Sequence, residues 1–291
     1  MKNIHILSIS QFNEADFGKE FYVNTIENHI KHTHLHIDAP HKHDFYVTLI
    51  FTKGFGKHEI DFETYDIKPG SMFFLKPGQI HNWTLSEDIS GYIFFHTVSF
   101  FEKDFTRNHI QSFPFFYYDQ VSPILYLNEN KVNYITSLFN AILDESKTIE
   151  IFKAEKILTL IHLVYIECSR LIIGNEQKQE VSKNSYTRQF KDFQQFVEQF
   201  YKTEKSATFY ADKLNISPKH LNRICQNVIG KTTTEYITER VLLEAKREII
   251  YQKKSLAEIA YDLGYEDYAY FSRIFKKHFN ENPSEFINKY R

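Results

Sequence analysis

The chain has 291 residues, enough for two domains with separate cores, and its net charge of −2 points to no polyanionic partner by itself. Its two cysteines make neither a disulfide framework nor a zinc site. With no basic N-terminal segment leading into an apolar run, and no uncharged stretch of about 18 apolar residues, a soluble cytoplasmic protein without a membrane partner is expected. The charge is uneven, however. Residues 1–182 hold 16 Lys and Arg against 23 Asp and Glu, a net −7, whereas residues 183–291 hold 19 against 14, a net +5. Such asymmetry is a hint of a polyanion-binding module in the second part.

Residues 1–128 read as β-rich. Aromatic and β-branched runs at Phe45–Phe51, Met72–Leu75 and Tyr92–Val98 are separated by turn signals at Lys53-Gly-Phe-Gly56, Lys68-Pro-Gly70, Lys76-Pro-Gly78 and Ser90-Gly91. Many short strands at close spacing predict a small barrel or jelly roll. His29, His32, His34 and His36 partly alternate like a half-exposed strand and read as ordinary surface. Aromatic residues make up 16% of the chain. Most of them are expected to fill core, with some lining a pocket for a flat or partly apolar ligand.

Residues 129–146 and 150–173 switch to helical period. The second segment is apolar on more than one face, through Ile157, Leu158, Leu160, Ile161, Leu163, Val164 and Ile166. A surface helix needs one stripe, so the extra face is expected to be covered by the barrel and by a second subunit. Residues 174–187 are polar, lack apolar periodicity and begin with a glycine suited to a helix C-cap; they read as a linker. The remainder is helical. Ser217-Pro218 supplies an N-cap and a first-turn proline, Thr232…Glu235 and Ser255…Glu258 have capping-box spacing, and Asn282-Pro283 opens a last short helix. Cys168 and Cys225 fall on apolar stripes and are expected to be reduced core residues.

Two segments of this helical part predict helix-turn-helix units. In the second, Leu256–Leu263 braces Asp267–Phe279, with Gly264 at the turn and Phe271, Ile274, Phe275 and Phe279 on the buried stripe. In the first, Ser206–Leu214 braces Pro218–Val228, with Leu221, Ile224 and Cys225 inward. Leu221-Asn-Arg-Ile-Cys-Gln226 matches Phe271-Ser-Arg-Ile-Phe-Lys276 at an offset of 50 residues. Such a unit places the start of its second helix against base edges in the major groove of double-stranded DNA, where Arg suits guanine and Asn or Gln suits adenine. The candidate readers are Lys219, His220, Asn222, Arg223 and Gln226 in the first unit, and Tyr268, Ala269, Ser272, Arg273, Lys276 and Lys277 in the second. Arg223 and Arg273 can each read a base, clamp a phosphate or pair within the protein, and the sequence leaves these open. Between the units, Thr234–Tyr251 reads as one amphipathic rod of roughly 27 Å, against the ~34 Å between successive major-groove faces on one side of a duplex.

The runs Leu256-Ala-Glu-Ile-Ala260, Leu263-Gly-Tyr265, Phe271-Ser-Arg-Ile-Phe-Lys276 and Asn282-Pro-Ser-Glu-Phe286 resemble the AraC/XylS family of bacterial transcription regulators. Ala211, Leu214-Asn-Ile-Ser217, Leu221-Asn-Arg223, Gly230 and Tyr236 extend the likeness to the first unit. Cys225-Gln226 departs from the family's aromatic-Lys pair. Within the N-terminal part, His41-Lys-His43, Gly54-Phe-Gly56, Tyr65-Asp-Ile-Lys-Pro-Gly70 and Leu75-Lys-Pro-Gly-Gln-Ile-His81 resemble a cupin-like sensor barrel. The resemblance implies an α+β chain: a cupin-like effector-binding and dimerisation domain at 1–173, a linker at 174–187, and a double helix-turn-helix domain at 188–291. It implies a homodimeric activator that takes a small-molecule effector and works with RNA polymerase, and no enzyme.

Cupin enzymes hold a metal with a His-x-His pair, a Glu a few residues on and a later His. His41, His43 and His81 fit that pattern, but Val47 and Thr48 stand where the Glu is expected, and Asp44 should point to the opposite strand face. Three imidazoles alone could hold zinc. Lining an effector pocket is the reading adopted for the three histidines, with no metal or cofactor expected. A metal-dependent cupin enzyme with a helical regulatory tail stays as the alternative, and a DNA-silent interaction module as a third. No nucleophile–base set, phosphate loop or carboxylate pair stands out.

Overall fold

A computed structural model describes residues 5–12, 15–32, 39–103, 110, 113–117, 121–173, 185–251 and 254–289. Contacts divide them into two compact units, one within 5–177 and one within 178–291. The linker expected at 174–187 lies outside the described residues up to 184, and helix begins at Ser185.

The first unit contains two five-stranded sheets. One runs in the order β1 (His5–Leu7), β3 (His41–His43), β8 (Ile80–Leu85), β5 (Gly56–Ile60), β6 (Glu63–Ile67). The other runs β10 (Ile124–Tyr126), β7 (Ser71–Leu75), β4 (Tyr46–Lys53), β9 (Ser90–His96), β2 (Phe21–Thr25). Pairing is antiparallel except between β1 and β3.

Period-two alternation sorts the side chains of the second sheet into two cores. Val47, Leu49 and Phe51 of β4, Phe73 and Leu75 of β7, and Ile93 and Phe95 of β9 face Leu7, Ile60, Ile67 and Trp83 of the first sheet. Tyr46, Ile50, Met72, Phe74 and Phe94 take the opposite face and pack on helices. With both faces covered, these strands read as continuous apolar runs rather than alternating ones.

The covering helices include α2 (Val98–Glu102), α3 (Pro114–Tyr117), α4 (Glu129–Ser146) and α5 (Lys153–Ile173). One face of α5 is buried within the unit, while Leu160 and Leu163 on the adjoining face are half-buried. Ile157, Leu158, Ile161, Val164 and Tyr165 are fully buried against α4, α3 and the sheet, and Ile166 and Leu171 are the exposed apolar residues of the helix. Tyr165 also anchors α5 through a polar chain. His96 Nδ1 donates to Thr97 O at 3.0 Å, so its Nε2 accepts from the Tyr165 hydroxyl at 2.7 Å, which accepts from Thr48 Oγ1 at 3.0 Å. Thr48 therefore faces the helices, away from the intersheet core.

The histidine run corrects one expectation. Ile26–His32 is a helix, α1, started by Thr25 Oγ1 accepting from Asn28 N at 3.3 Å, and His29 is buried rather than at the surface. Its Nδ1 meets the Tyr22 hydroxyl at 3.0 Å. His34 and His36 lie outside the described residues.

The second unit comprises α6 (Ser185–Phe200), α7 (Ala207–Lys213), α8 (Pro218–Ile229), α9 (Thr233–Tyr251), α10 (Leu256–Asp262), α11 (Tyr268–Phe279) and α12 (Pro283–Lys289). The 50-residue echo extends into the boundaries. Ser217 and Asp267 cap α8 and α11, Gly230 and Asn280 end them in the left-handed region, and Thr232–Glu235 and Asn282–Glu285 make reciprocal caps for α9 and α12. Glu198 of α6 accepts two hydrogen bonds from Arg240 of α9, at 2.7 and 3.0 Å, and the same guanidinium lies 3.9 Å from the Tyr201 ring. The rod between the units is thereby tied to the core. Among the described residues, no helix is long and apolar enough to cross a membrane.

Candidate nucleic-acid interface and histidine cluster

Helix α8 buries Leu221, Ile224 and Cys225, and α11 buries Phe271 and Phe275. Ile274 and Phe279, expected inside, are only half-buried, because α11 lies at the edge of the unit with α10 and α12 as neighbours. The opposite faces carry Lys219, Arg223 and Gln226 on α8, and Ala269, Arg273, Lys276 and Lys277 on α11, all exposed. His220, Asn222, Tyr268 and Ser272 are half-buried.

Four of the candidates, Arg223, His220, Asn222 and Tyr268, turn out to be engaged within the protein. The Arg223 guanidinium donates to His220 Nδ1 at 2.6 Å and lies 5.8 Å from the Tyr186 ring, which holds the arginine close to its helix. Asn222 Oδ1 accepts from Thr233 N at 3.1 Å, a contact that turns its carbonyl away from solvent. Asn222 thus braces α9 through its carbonyl, and that bond leaves its amide nitrogen uncommitted. Tyr268 packs its ring against Phe271, centroids 6.2 Å apart. In contrast, Tyr270, which is not among the candidate readers, is 53% exposed in the first turn of α11. Its signal was helical spacing: at i−1 from Phe271 it cannot share the buried stripe.

The first sheet builds the other site. His41 and His43 stand two apart on β3, so both point to one face; Cα pairing sets His41 opposite His81 of β8, and His58 of β5 opposite Trp83. Four buried imidazoles thus share the inner face of the sheet. His43 Nε2 lies 2.5 Å from His81 Nε2, His81 Nδ1 lies 3.0 Å from His58 Nε2, and His41 Nδ1 donates to Ala39 O at 2.9 Å. One nitrogen from each of His41, His43 and His81 falls within 4.8 Å of the others.

Burial, and after it the electrostatic effect of His41, pushes the His43, His58 and His81 imidazoles well below their ordinary range. They are neutral at physiological pH. The cavity in front of them measures about 10 Å³, room for one water-sized occupant, and is walled by Val47, His29, Phe12, Phe95 and Trp83. Val47 indeed faces this cavity, and Asp44, in the bend after β3, is exposed. His58 was not singled out in the sequence. It stands at a same-face position beside a tryptophan strand partner, a relation that only the register reveals.

Two family models match the chain: an AraC-like ligand binding domain over residues 25–160, and a helix-turn-helix domain over residues 210–289. The "Probable transcription factor PqrA" of Proteus vulgaris is 42% identical over 76 residues, which are 26% of this chain and 62% of PqrA, under two thirds of that relative's length. The "HTH-type transcriptional activator RhaS" of Mannheimia succiniciproducens is 23% identical over 256 residues, 84% of this chain and 87% of that one. A crystal structure of ToxT from Vibrio cholerae aligns with 92% of this chain and 98% of its own at 13% identity and a TM-score of 0.41.

Proposed function

The chain belongs to the AraC/XylS family of transcription regulators, and we propose on that premise that it is a one-component activator. Residues 185–289 bind double-stranded DNA, and the two-sheet unit takes a small effector on the face carrying His41, His43 and His81. The observation that carries the DNA half is the pair of matched helices. Each buries an apolar stripe and turns basic and amide side chains outward, and the second offers Arg273, Lys276 and Lys277, exposed and without an ion-pair partner among the described residues. Lys219 and Gln226 do the same on the first.

Arg273 is the base reader of the second unit on this reading. Arg223, stacked near Tyr186 and bonded to His220, clamps a phosphate instead. Two copies act together on DNA, and contact with RNA polymerase converts binding into activation. An effector can act only by binding one arrangement of the protein better than another.

A gel shift with DNA from upstream of the protein's own gene, at a stated low salt, tests the reading. A shifted complex that resists nonspecific competitor and weakens steeply with salt is expected, because phosphate contacts dominate the affinity. Failure to shift any such fragment at low salt would sink it.

A further inference from the structure

We propose that His41, His43 and His81 bind one divalent transition-metal ion of the zinc, nickel and cobalt class through their Nε2 atoms. The first ground is the direction of the lone pairs. Ala39 O can only accept, so His41 carries its proton on Nδ1 and its lone pair on Nε2. His81 Nδ1 faces His58 Nε2; when it donates there, the His81 lone pair also lies on Nε2. That nitrogen is 2.5 Å from His43 Nε2, a separation at which two ring nitrogens need a proton or a cation between them. The three imidazoles stand on two adjacent strands with one ring nitrogen of each within 4.8 Å of the others, and imidazole is the ligand type that suits these metals.

The second ground is the frame around them. A metal-bound histidine usually donates its other ring N–H to a fixed acceptor, which sets its tautomer and rotation. A backbone carbonyl does this for His41 and a buried imidazole for His81; His43 Nδ1 is buried without a partner. The Phe45 ring lies 4.5 Å from that of His43, and Trp83 5.6 Å from that of His81, so apolar walls keep both rings from swinging away.

The third ground is size. A cavity of about 10 Å³ takes an ion with one water. Tetrahedral zinc with Zn–N bonds of about 2.0–2.1 Å sets its ligand nitrogens ~3.3 Å apart. The nitrogens here lie between 2.5 and 4.8 Å, so small ring rotations suffice. Val47 stands beside the three imidazoles and offers no donor, which leaves the fourth position to water or to an anionic group of an incoming ligand.

The inference concerns the sensing unit proposed above, and it stands or falls separately from DNA binding. The test uses full-length protein stripped with chelator, then titrated with ZnCl2 in a calorimeter and with Co2+ by visible absorption. Wild type should bind one equivalent of zinc tightly and give Co2+ the intense visible bands of a four-coordinate nitrogen site. His43→Gln and His81→Gln should each lose at least ~100-fold in affinity, and His58→Phe roughly 10- to 100-fold, as expected when an outer partner of a metal ligand is removed. Stripped variants must melt as stripped wild type does, and His41→Gln, at the rim of the cluster, serves if His81→Gln does not fold.

No stoichiometric binding by wild type would overturn the proposal. Binding that survives in both His43→Gln and His81→Gln would overturn it too, by placing the ion on other histidines of the 14 in the chain. A gel shift on the same stripped samples separates the two readings: DNA binding without metal binding removes the ion and keeps the regulator, and the converse result does the reverse.

Discussion

The side-chain carbonyl of Asn222 accepts the backbone N–H of Thr233 at 3.1 Å, so the first exposed helix of the DNA-facing unit also caps the rod that follows it. Thr233 belongs to the first turn of α9, where backbone donors have no partner within the helix. Asn222→Ala should therefore cost stability, about 1 kcal/mol by analogy with other lost caps, and lower the melting temperature of the second unit by roughly 4–8 °C. Differential scanning calorimetry checks this. A variant that melts like wild type but binds DNA poorly would return Asn222 to the role of base reader.

Arg273 offers the cleaner readout. It is exposed, and its neighbour by the 50-residue echo, Arg223, is the one held by His220 and Tyr186. Arg273→Ala should leave the melting curve unchanged and cost about 1–3 kcal/mol of affinity, with relaxed preference at one base position. Arg223→Ala should weaken binding evenly across sequences and reduce the salt slope by about one. Binding measured against a panel of single-base operator variants at several salt concentrations distinguishes the two behaviours. Matching profiles would show that the His220 contact does not separate their roles.

Helix boundaries in the second unit were legible because their caps are local. Ser217-Pro218, Thr232…Glu235 and Ser255…Glu258 name their helices within four residues of chain, and the structure begins α8, α9 and α10 there. α4 was legible from period alone, at 129–146. What escaped was set by contacts distant in sequence. That α4 folds back on part of α5 was not legible, because nothing local to α5 tells it. His29 looked like surface because its burial follows from α1 packing on β9 rather than from its own neighbours. His58 joined the other histidines only through the β5–β8 register. The triad itself was visible as His-x-His and a later His, but the sequence could not show whether a ligand-sized space lay in front of it.

The histidines predict how the first unit responds to acid. His96 is held down to about 4 by burial, partly offset by its bond to Thr97 O, and His29 to about 3 by burial and the charge of His41. An unfolded histidine titrates near 6.5, so below that pH the unfolded chain takes up protons that the folded one refuses. Stability is thus intact above pH 6.5 and falls as pH drops toward 4. Each group should contribute a loss on the order of 1–2 kcal/mol between pH 7 and 5. Thermal melts at stepped pH should show the transition of the first unit moving down over this window. His96→Gln should flatten the dependence, and an unchanged slope in that variant would mean the proton is taken up elsewhere.

Gly230 and Gly264 both adopt positive φ, at +69° and +75°, yet substitution should separate them. A Cβ on Gly230 meets nothing within 4 Å, whereas one on Gly264 would come within 2.2 Å of the Lys202 carbonyl oxygen. Gly230→Ala therefore carries only the left-handed penalty of about 1–2 kcal/mol. Asparagine tolerates that region better, and Asn280 already fills the matching place at the end of α11. Gly230→Asn should be close to neutral. At Gly264 the same residue cannot help, because the obstacle is a backbone atom and not the dihedral angle. Gly264→Ala and Gly264→Asn should both destabilise by more than about 2 kcal/mol, displacing the turn that sets α10 against α11. Chemical denaturation of the four variants reads this directly. Rescue of Gly264 by asparagine would show that the close approach of Lys202 yields easily and that conformation alone demands glycine there.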